Sequence, residues 1–340
     1  MDIRPLAYLR PGNAAFRALS SHGGRWWGIV LWTALVAVGV GCGESSSGPS
    51  EISPSEVLAD FRTFEDTSRV TPANGDYAGA ESRTVRANLW YAPDSLNGVP
   101  CGESGCGLVV LAHGFGGNPD RFEILARKLA ARGWIVAAIW FPLTNDQAPG
   151  GYSRAIGDVF SQPGDVSFLI DRLIAESSKG GDSLEGRIDG TRIGVLGHSL
   201  GGATTTALDR HACCRDERIG ANFLVAPATF LMDAFGSSSL EEPSPTFVSV
   251  GTEDFLIPPE TMEEYFATLE GPHVLAIMQG YDHVTHVEAG ASVPFPERID
   301  ETAMLVDHFF GDSLVGTQRL PAALEALRDR GHDVRSKSGS

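Results

Sequence analysis

Basic residues are scarce in this chain of 340: Lys and Arg number 26 against 43 Asp and Glu, a formal net charge of −17. A surface of that sign repels a phosphodiester backbone, so a nucleic-acid partner is excluded. Nucleotide-binding loops are missing too. No G-x-x-x-x-G-K-[ST] run occurs and no G-x-G-x-x-G stands between a strand and a helix, so no cofactor is expected. Cysteine is sparse, five in all. The spacing Cys101-x4-Cys106 and the adjacent Cys213-Cys214 match no common zinc pattern, and no metal site is expected. The uncharged run Trp26–Gly41 is shorter than the roughly 20 apolar residues that a membrane span needs.

That run follows Arg4, Arg10, Arg17 and Arg25, and Cys42 comes directly after it. A basic stretch ahead of a short apolar core reads as an export signal over residues 1–41, outside the fold. Gly39-Val40-Gly41-Cys42 resembles the lipobox of bacterial lipoproteins, although Gly39 stands where a leucine-like residue is usual. The resemblance implies a lipid on Cys42, a cell-envelope location, and membrane contact through that lipid alone. Cleavage without lipidation would instead release a secreted protein. A third reading keeps the run as an anchor, and all three lead to an oxidising compartment, where disulfides form. Residues 42–60, rich in Ser, Gly, Pro and Glu, read as a flexible linker. Residues 61–315 read as one folded domain, and residues 316–340 as a last helix with a frayed polar tail.

What the domain contains is ample core material, 42% hydrophobic residues over the chain. Thr84–Tyr91 holds β-formers in partial alternation, an early antiparallel strand. Leu108–Ala112, Trp134–Trp140, Ile193–Leu196, Ala221–Ala226, Thr246–Val250 and His273–Met278 are short apolar runs, the mark of strands buried on both faces. Helical spacing recurs between them, over Arg121–Arg132, from an N-capping Asp165 through Ile174, over Glu260–Leu269 and over Glu297–Phe310. Strands alternating with helices make the fold class α/β, a mostly parallel central sheet with helices on both faces.

One stretch organises the rest. Ile193–Leu196 runs into Gly197-His198-Ser199-Leu200-Gly201-Gly202, and the small residues Ala203–Ala207 follow. That is a buried strand, a very tight turn and a helix, with a serine at the apex. Glycine flanks the serine because a side chain there would strike the neighbouring strand and helix. A serine hydroxyl is a poor nucleophile at neutral pH, so it needs a base, an orienting acid and a site for negative oxygen. Candidates stand where parallel sheets put their sites, after the C-terminal ends of strands.

The spacing G-x-S-x-G resembles the nucleophile elbow of α/β-hydrolases. Its closest branch holds chlorophyllases, platelet-activating-factor acetylhydrolases and cutinase-like polyester hydrolases. The motifs His113-Gly114-Phe115-Gly116-Gly117, Gln162–Phe168 and Gly197–Gly202 carry that likeness, which spans roughly residues 80–311. The resemblance implies a serine esterase in which Ser199 is the nucleophile and the backbone N–H groups of Phe115 and Leu200 form the oxyanion hole. Gly251-Thr252-Glu253-Asp254 follows a strand and points to Asp254 as the acid, with Glu253 as its competitor. Gly280-Tyr281-Asp282-His283 follows the last strand and points to His283 as the base, with His286 as its competitor. The order Ser…Asp…His agrees with the family. His113 and His198 read as structural. A thioesterase or amidase would use the same triad, and a non-catalytic binding module would usually lack one of its members.

About twenty residues separate Ala226 from Thr246, where this fold often inserts a lid, so no large lid domain is expected. Phe115, Trp140, Phe141 and Phe230 are candidates for an apolar wall of an open cleft, which suits bulky or polymeric esters; the alternative is that they pack in the core. Cys101, Cys106, Cys213 and Cys214 read as structural disulfides, paired either locally or across, as Cys106 with Cys213. Oligomeric state does not follow from the chain.

Overall fold

The apolar runs become neighbours in one ten-stranded sheet. The computed structural model describes residues 52–93, 101–236, 244–288 and 296–338; the expected export signal, Cys42 and the start of the linker lie outside them. In chain order the strands are β1 (Leu58–Asp66), β2 (Arg83–Tyr91), β3 (Cys101–Gly102), β4 (Gly105–Ala112) and β5 (Ile135–Trp140). Then come β6 (Ile188–His198), β7 (Ile219–Val225), β8 (Thr246–Gly251), β9 (His273–Met278) and β10 (Asp333–Lys337). Their spatial order is β1-β2-β5-β4-β6-β7-β8-β9-β10, with β3 folded back on β4 as a hairpin. The six from β5 to β9 are parallel, and β1, β2 and β10 are antiparallel additions at the edges.

Every residue of β4, β5, β8 and β9 is buried, because helices cover both faces. On one face α1 (Glu123–Ala131), α5 (Pro296–Phe310) and α6 (Leu320–Asp329) enclose Val109, Leu111, Val136, Ala138 and Phe223. On the other, α2 (Gln162–Ser177) and α3 (Leu200–Arg210) meet Leu108, Val110, Ile135 and Ile139. Further along that face α4 (Pro259–Thr268) packs on Leu224, Val248 and Leu275. The alternation along each strand thus sorts its apolar side chains between two cores. No helix among the described residues is long and apolar enough to cross a membrane.

Three local expectations are corrected. β1 begins at Leu58, inside the stretch read as linker, because Phe64 finds a place in the α2-side core. The tail is not frayed: Asp333–Lys337 pairs with β9 and closes the edge of the sheet, with Val334 buried. Asp165 is not a helix cap. The helix begins at Gln162, and Asp165 lies buried in its first turn. There it accepts from Arg83 Nε at 2.5 Å and Nη2 at 2.7 Å, while Asp158 accepts from the same guanidinium twice at 2.9 Å. This clamp ties β2 to the segment leading into α2.

Arg83→Met leaves the buried Asp158 without its partner and the buried Asp165 with Arg69 alone, whose Nη1 is 2.8 Å from Oδ1, and should cost about 3–5 kcal/mol of stability. The urea midpoint measures it. Arg83→Lys, whose ammonium lacks the planar fork, should recover only part of the loss.

Candidate active site

Ser199 stands between the last residue of β6 and the first of α3 with φ 54° and ψ −115°, a backbone conformation that L-residues avoid. Such a residue costs on the order of 1–3 kcal/mol and persists only when its surroundings enforce it. They do so here. Its N–H donates to Val225 O at 3.0 Å, and its carbonyl accepts from Gly202 N at 3.0 Å and Ala228 N at 2.9 Å. A methyl group on Gly197 would strike Thr205 Oγ1 and the Gly201 carbonyl; on Gly201, the carbonyls of Ala112 and His113; on Gly202, Pro227. The glycine spacing is therefore a steric requirement of this crossing.

The His113–Gly117 loop leaves β4 and lies against the turn. A Cβ built on Gly114 would be 3.1 Å from Ser199 Cβ. The loop is held by Gly116 N donating to Thr144 O at 2.8 Å and Gly117 N to Gly114 O at 3.0 Å. The amides of Phe115 and Leu200 donate to no group among the described residues. Leu200 is the first residue of α3, where amides have no intrahelical partner.

Asp254 and His283 meet after the ends of β8 and β9. Asp254 is 2% exposed. Its Oδ1 accepts from Leu256 N at 2.9 Å and Ile257 N at 2.8 Å, and its Oδ2 accepts from His283 Nδ1 at 2.7 Å. Glu253, its rival in the sequence, is exposed. The carboxylate is thereby aimed by two amides at one ring nitrogen, and His283 Nε2 bonds no described group. The Ser199 hydroxyl bonds no described group; contacts of this kind commonly tighten only when substrate arrives.

The other histidines are differently placed. His286, the rival base, is buried: its Nδ1 contacts Ser249 Oγ at 3.1 Å and its Nε2 has no partner. Burial pushes its pKa down to about 3. His113 donates from Nδ1 to Gly114 O at 2.7 Å and accepts from Phe141 N at 3.3 Å, and burial pushes it down to about 4. His198 is buried beside the turn, with Nε2 2.7 Å from His283 O.

A model of the α/β hydrolase family matches residues 109–334. The chain belongs to the α/β hydrolase family. Among curated relatives it is 25% identical over 139 residues to cutinase est2 of Thermobifida alba, covering 40% of each chain. It is 28% identical over 102 residues to cutinase est1 of the same organism, covering 30% of each. The match thus spans less than half the length of these relatives. Its fold is also that of a ferulic acid esterase from Streptomyces cinnamoneus, with a TM-score of 0.58 at 19% identity over 86% of this chain and 99% of that one.

In this α/β hydrolase the four aromatics of the expected wall separate. Phe141 is fully buried with its ring 5.0 Å from His113. Trp140 is also buried, because β2 lies outside β5: its Nε1 donates to Asn88 Oδ1 at 2.9 Å and Arg86 covers its ring. It borders a groove of about 550 Å³ with Phe61, Asn88, Trp90 and Asp120 on the β1–β2 side. Phe115 and Phe230 are exposed, Phe230 at 73%. The sequence reading missed Phe255 and Leu256, 92% and 71% exposed directly after Asp254. It also missed Tyr152, whose ring is 5.3 Å from Phe115. Two large apolar residues in a strand-to-helix turn were the available signal. Both disulfides are local, Cys101–Cys106 across the β3–β4 hairpin and Cys213–Cys214 after α3, so the Cys106–Cys213 alternative is not formed. Among the described residues no cluster of His, Cys, Asp and Glu is arranged to hold a metal ion.

The buried histidines set a pH dependence. The unfolded chain binds their protons near pH 6.5, whereas the native His113 and His286 resist to about 4 and about 3. The unfolded state therefore holds more protons in that window, and stability should fall as pH drops from about 6.5 toward 4. Nitrogen-15 spectra of the imidazoles should show both rings neutral at pH 5.5; a protonated His113 at that pH contradicts the burial argument.

Proposed function

We propose that this protein hydrolyses carboxylic esters through an acyl-enzyme on Ser199. The observation that carries the reading is the contact of 2.7 Å between His283 Nδ1 and the buried Asp254 carboxylate, next to a serine in an enforced strained turn. Asp254 holds His283 as the tautomer with its proton on Nδ1, so Nε2 is the base. It removes the Ser199 proton as Oγ attacks the ester carbonyl, and Asp254 stabilises the imidazolium. The free amides of Phe115 and Leu200 receive the oxygen that becomes negative, and losing one such donor costs about 3 kcal/mol in the barrier. The alcohol leaves with the proton from His283. Water, activated by the same nitrogen, then attacks the acyl-enzyme and releases the acid.

The ester class is supported by the names of the relatives, two cutinases and a ferulic acid esterase. Bulky or polymeric esters are supported by the exposed apolar residues Phe115, Tyr152, Phe230, Phe255 and Leu256, all on segments that follow the C-terminal ends of parallel strands. The sequence pattern at Gly39–Cys42 supports export with a lipid anchor on Cys42.

A fluorophosphonate probe should label the wild-type protein and fail on Ser199→Ala; equal labelling of both overturns the reading. Asp254→Asn should reduce kcat by roughly 10⁴-fold, the scale seen when a triad acid no longer fixes the imidazole tautomer. Phe255→Ser with Leu256→Ser should leave hydrolysis of a soluble acetate ester within about two-fold, while slowing an insoluble ester several-fold. Equal effects on both substrates would contradict the rim's role.

A further inference from the structure

We propose that His198 is a positioning residue that sets where the His283 ring stands over Ser199. This rests on the reading of His283 as the base. His198 is the last residue of β6, covalently adjacent to Ser199, and 4% exposed. Its Nε2 is 2.7 Å from the carbonyl oxygen of His283, 85 residues further along the chain, and the two rings are 4.9 Å apart. A carbonyl only accepts, so Nε2 carries a proton and donates it. Burial holds the ring well below the usual histidine range, which keeps it in the neutral Nε2–H form at working pH.

The loop that bears His283 closes on itself. Asp282 Oδ1 accepts from Val284 N at 3.0 Å and Thr285 N at 2.9 Å, and Thr285 Oγ1 accepts from Asp282 N at 3.0 Å. Those bonds shape the turn without joining it to the strand that carries the nucleophile. His198 makes that join. Asp254 grips the His283 side chain at Nδ1, and His198 grips its backbone at the carbonyl, so tautomer and height are held by different partners. The same ring reaches the third component of the site: a Cβ on Gly114 would be 3.4 Å from His198 Nδ1. One buried imidazole thus gauges the elbow, the oxyanion loop and the base loop against each other. Small displacements of reacting groups are costly, about 10²-fold for 1 Å.

The test compares wild type, His198→Leu, His198→Gln and His198→Asn on p-nitrophenyl acetate, with fluorophosphonate labelling in parallel. Leucine fills space without a donor. Glutamine reaches the Nε2 position with a donor, and asparagine is too short for it. In folded protein, His198→Leu should lower kcat by about 10- to 100-fold with KM within two-fold, and slow labelling by the same factor. His198→Gln should recover most of the loss. A His198→Leu protein within two-fold of wild-type kcat overturns the proposal. So does a folded His198→Gln no faster than His198→Leu, or, where leucine prevents folding, no faster than His198→Asn. A wild type without Ser199-dependent labelling overturns the underlying function itself, whereas labelled wild type with an unaffected His198→Leu overturns the role of His198 alone.

Discussion

The backbone of Ser199, held at φ 54°, is the constraint on which the rest of the molecule depends. A turn that abrupt between strand and helix is possible only if the strand is fixed from both sides and the helix passes close above it. β4 and β7 flank β6 in parallel, and the elbow is hydrogen-bonded to Val225, the last residue of β7, and to Ala228 just beyond it. The glycines at 197, 201 and 202 leave room for α3 to cross. Once the sheet holds that turn, the other parts need only follow strands: the proposed oxyanion loop after β4, the proposed acid after β8 and the proposed base after β9. The antiparallel edges and the Arg83 clamp stabilise the frame in which these loops end together.

The site sets one carboxylate–imidazole pair among rings held neutral. Asp254 is buried and directed by two backbone amides, and the imidazole it hydrogen-bonds is that of His283. The neighbouring rings, His113, His198 and His286, are all driven toward the neutral form by burial. In their neutral forms they serve as hydrogen-bonding spacers. A cationic neighbour would compete with the imidazolium that the proposed mechanism must form, and burial removes that competitor.

Much of this was legible in the chain because the fold speaks through short-range patterns. Continuous apolar runs identified β4 through β9, and helical spacing identified the covering helices, since strands buried on both faces carry mostly apolar residues. The strand-end positions of Ser199, Asp254 and His283, the residues of the proposed triad, were legible because each follows an apolar run. Longer-range facts were not. The burial of Trp140 depends on which strand lies outside β5, and the burial of Asp165 depends on Arg83, 82 residues earlier. The carbonyl bond that joins His198 to His283 has no local signature at either residue. β1 and β10 were hidden because edge strands, half exposed and partly polar, resemble linker and tail.

The central claim is a covalent intermediate on Ser199, and trapping it is the most direct measurement. Protein mixed with a p-nitrophenyl ester and quenched in acid within the first turnovers should release a burst of nitrophenol approaching one equivalent. Mass spectrometry should then place the acyl group on the peptide containing Ser199. An acyl group on a different residue, or turnover that persists unchanged in Ser199→Ala, would contradict the account.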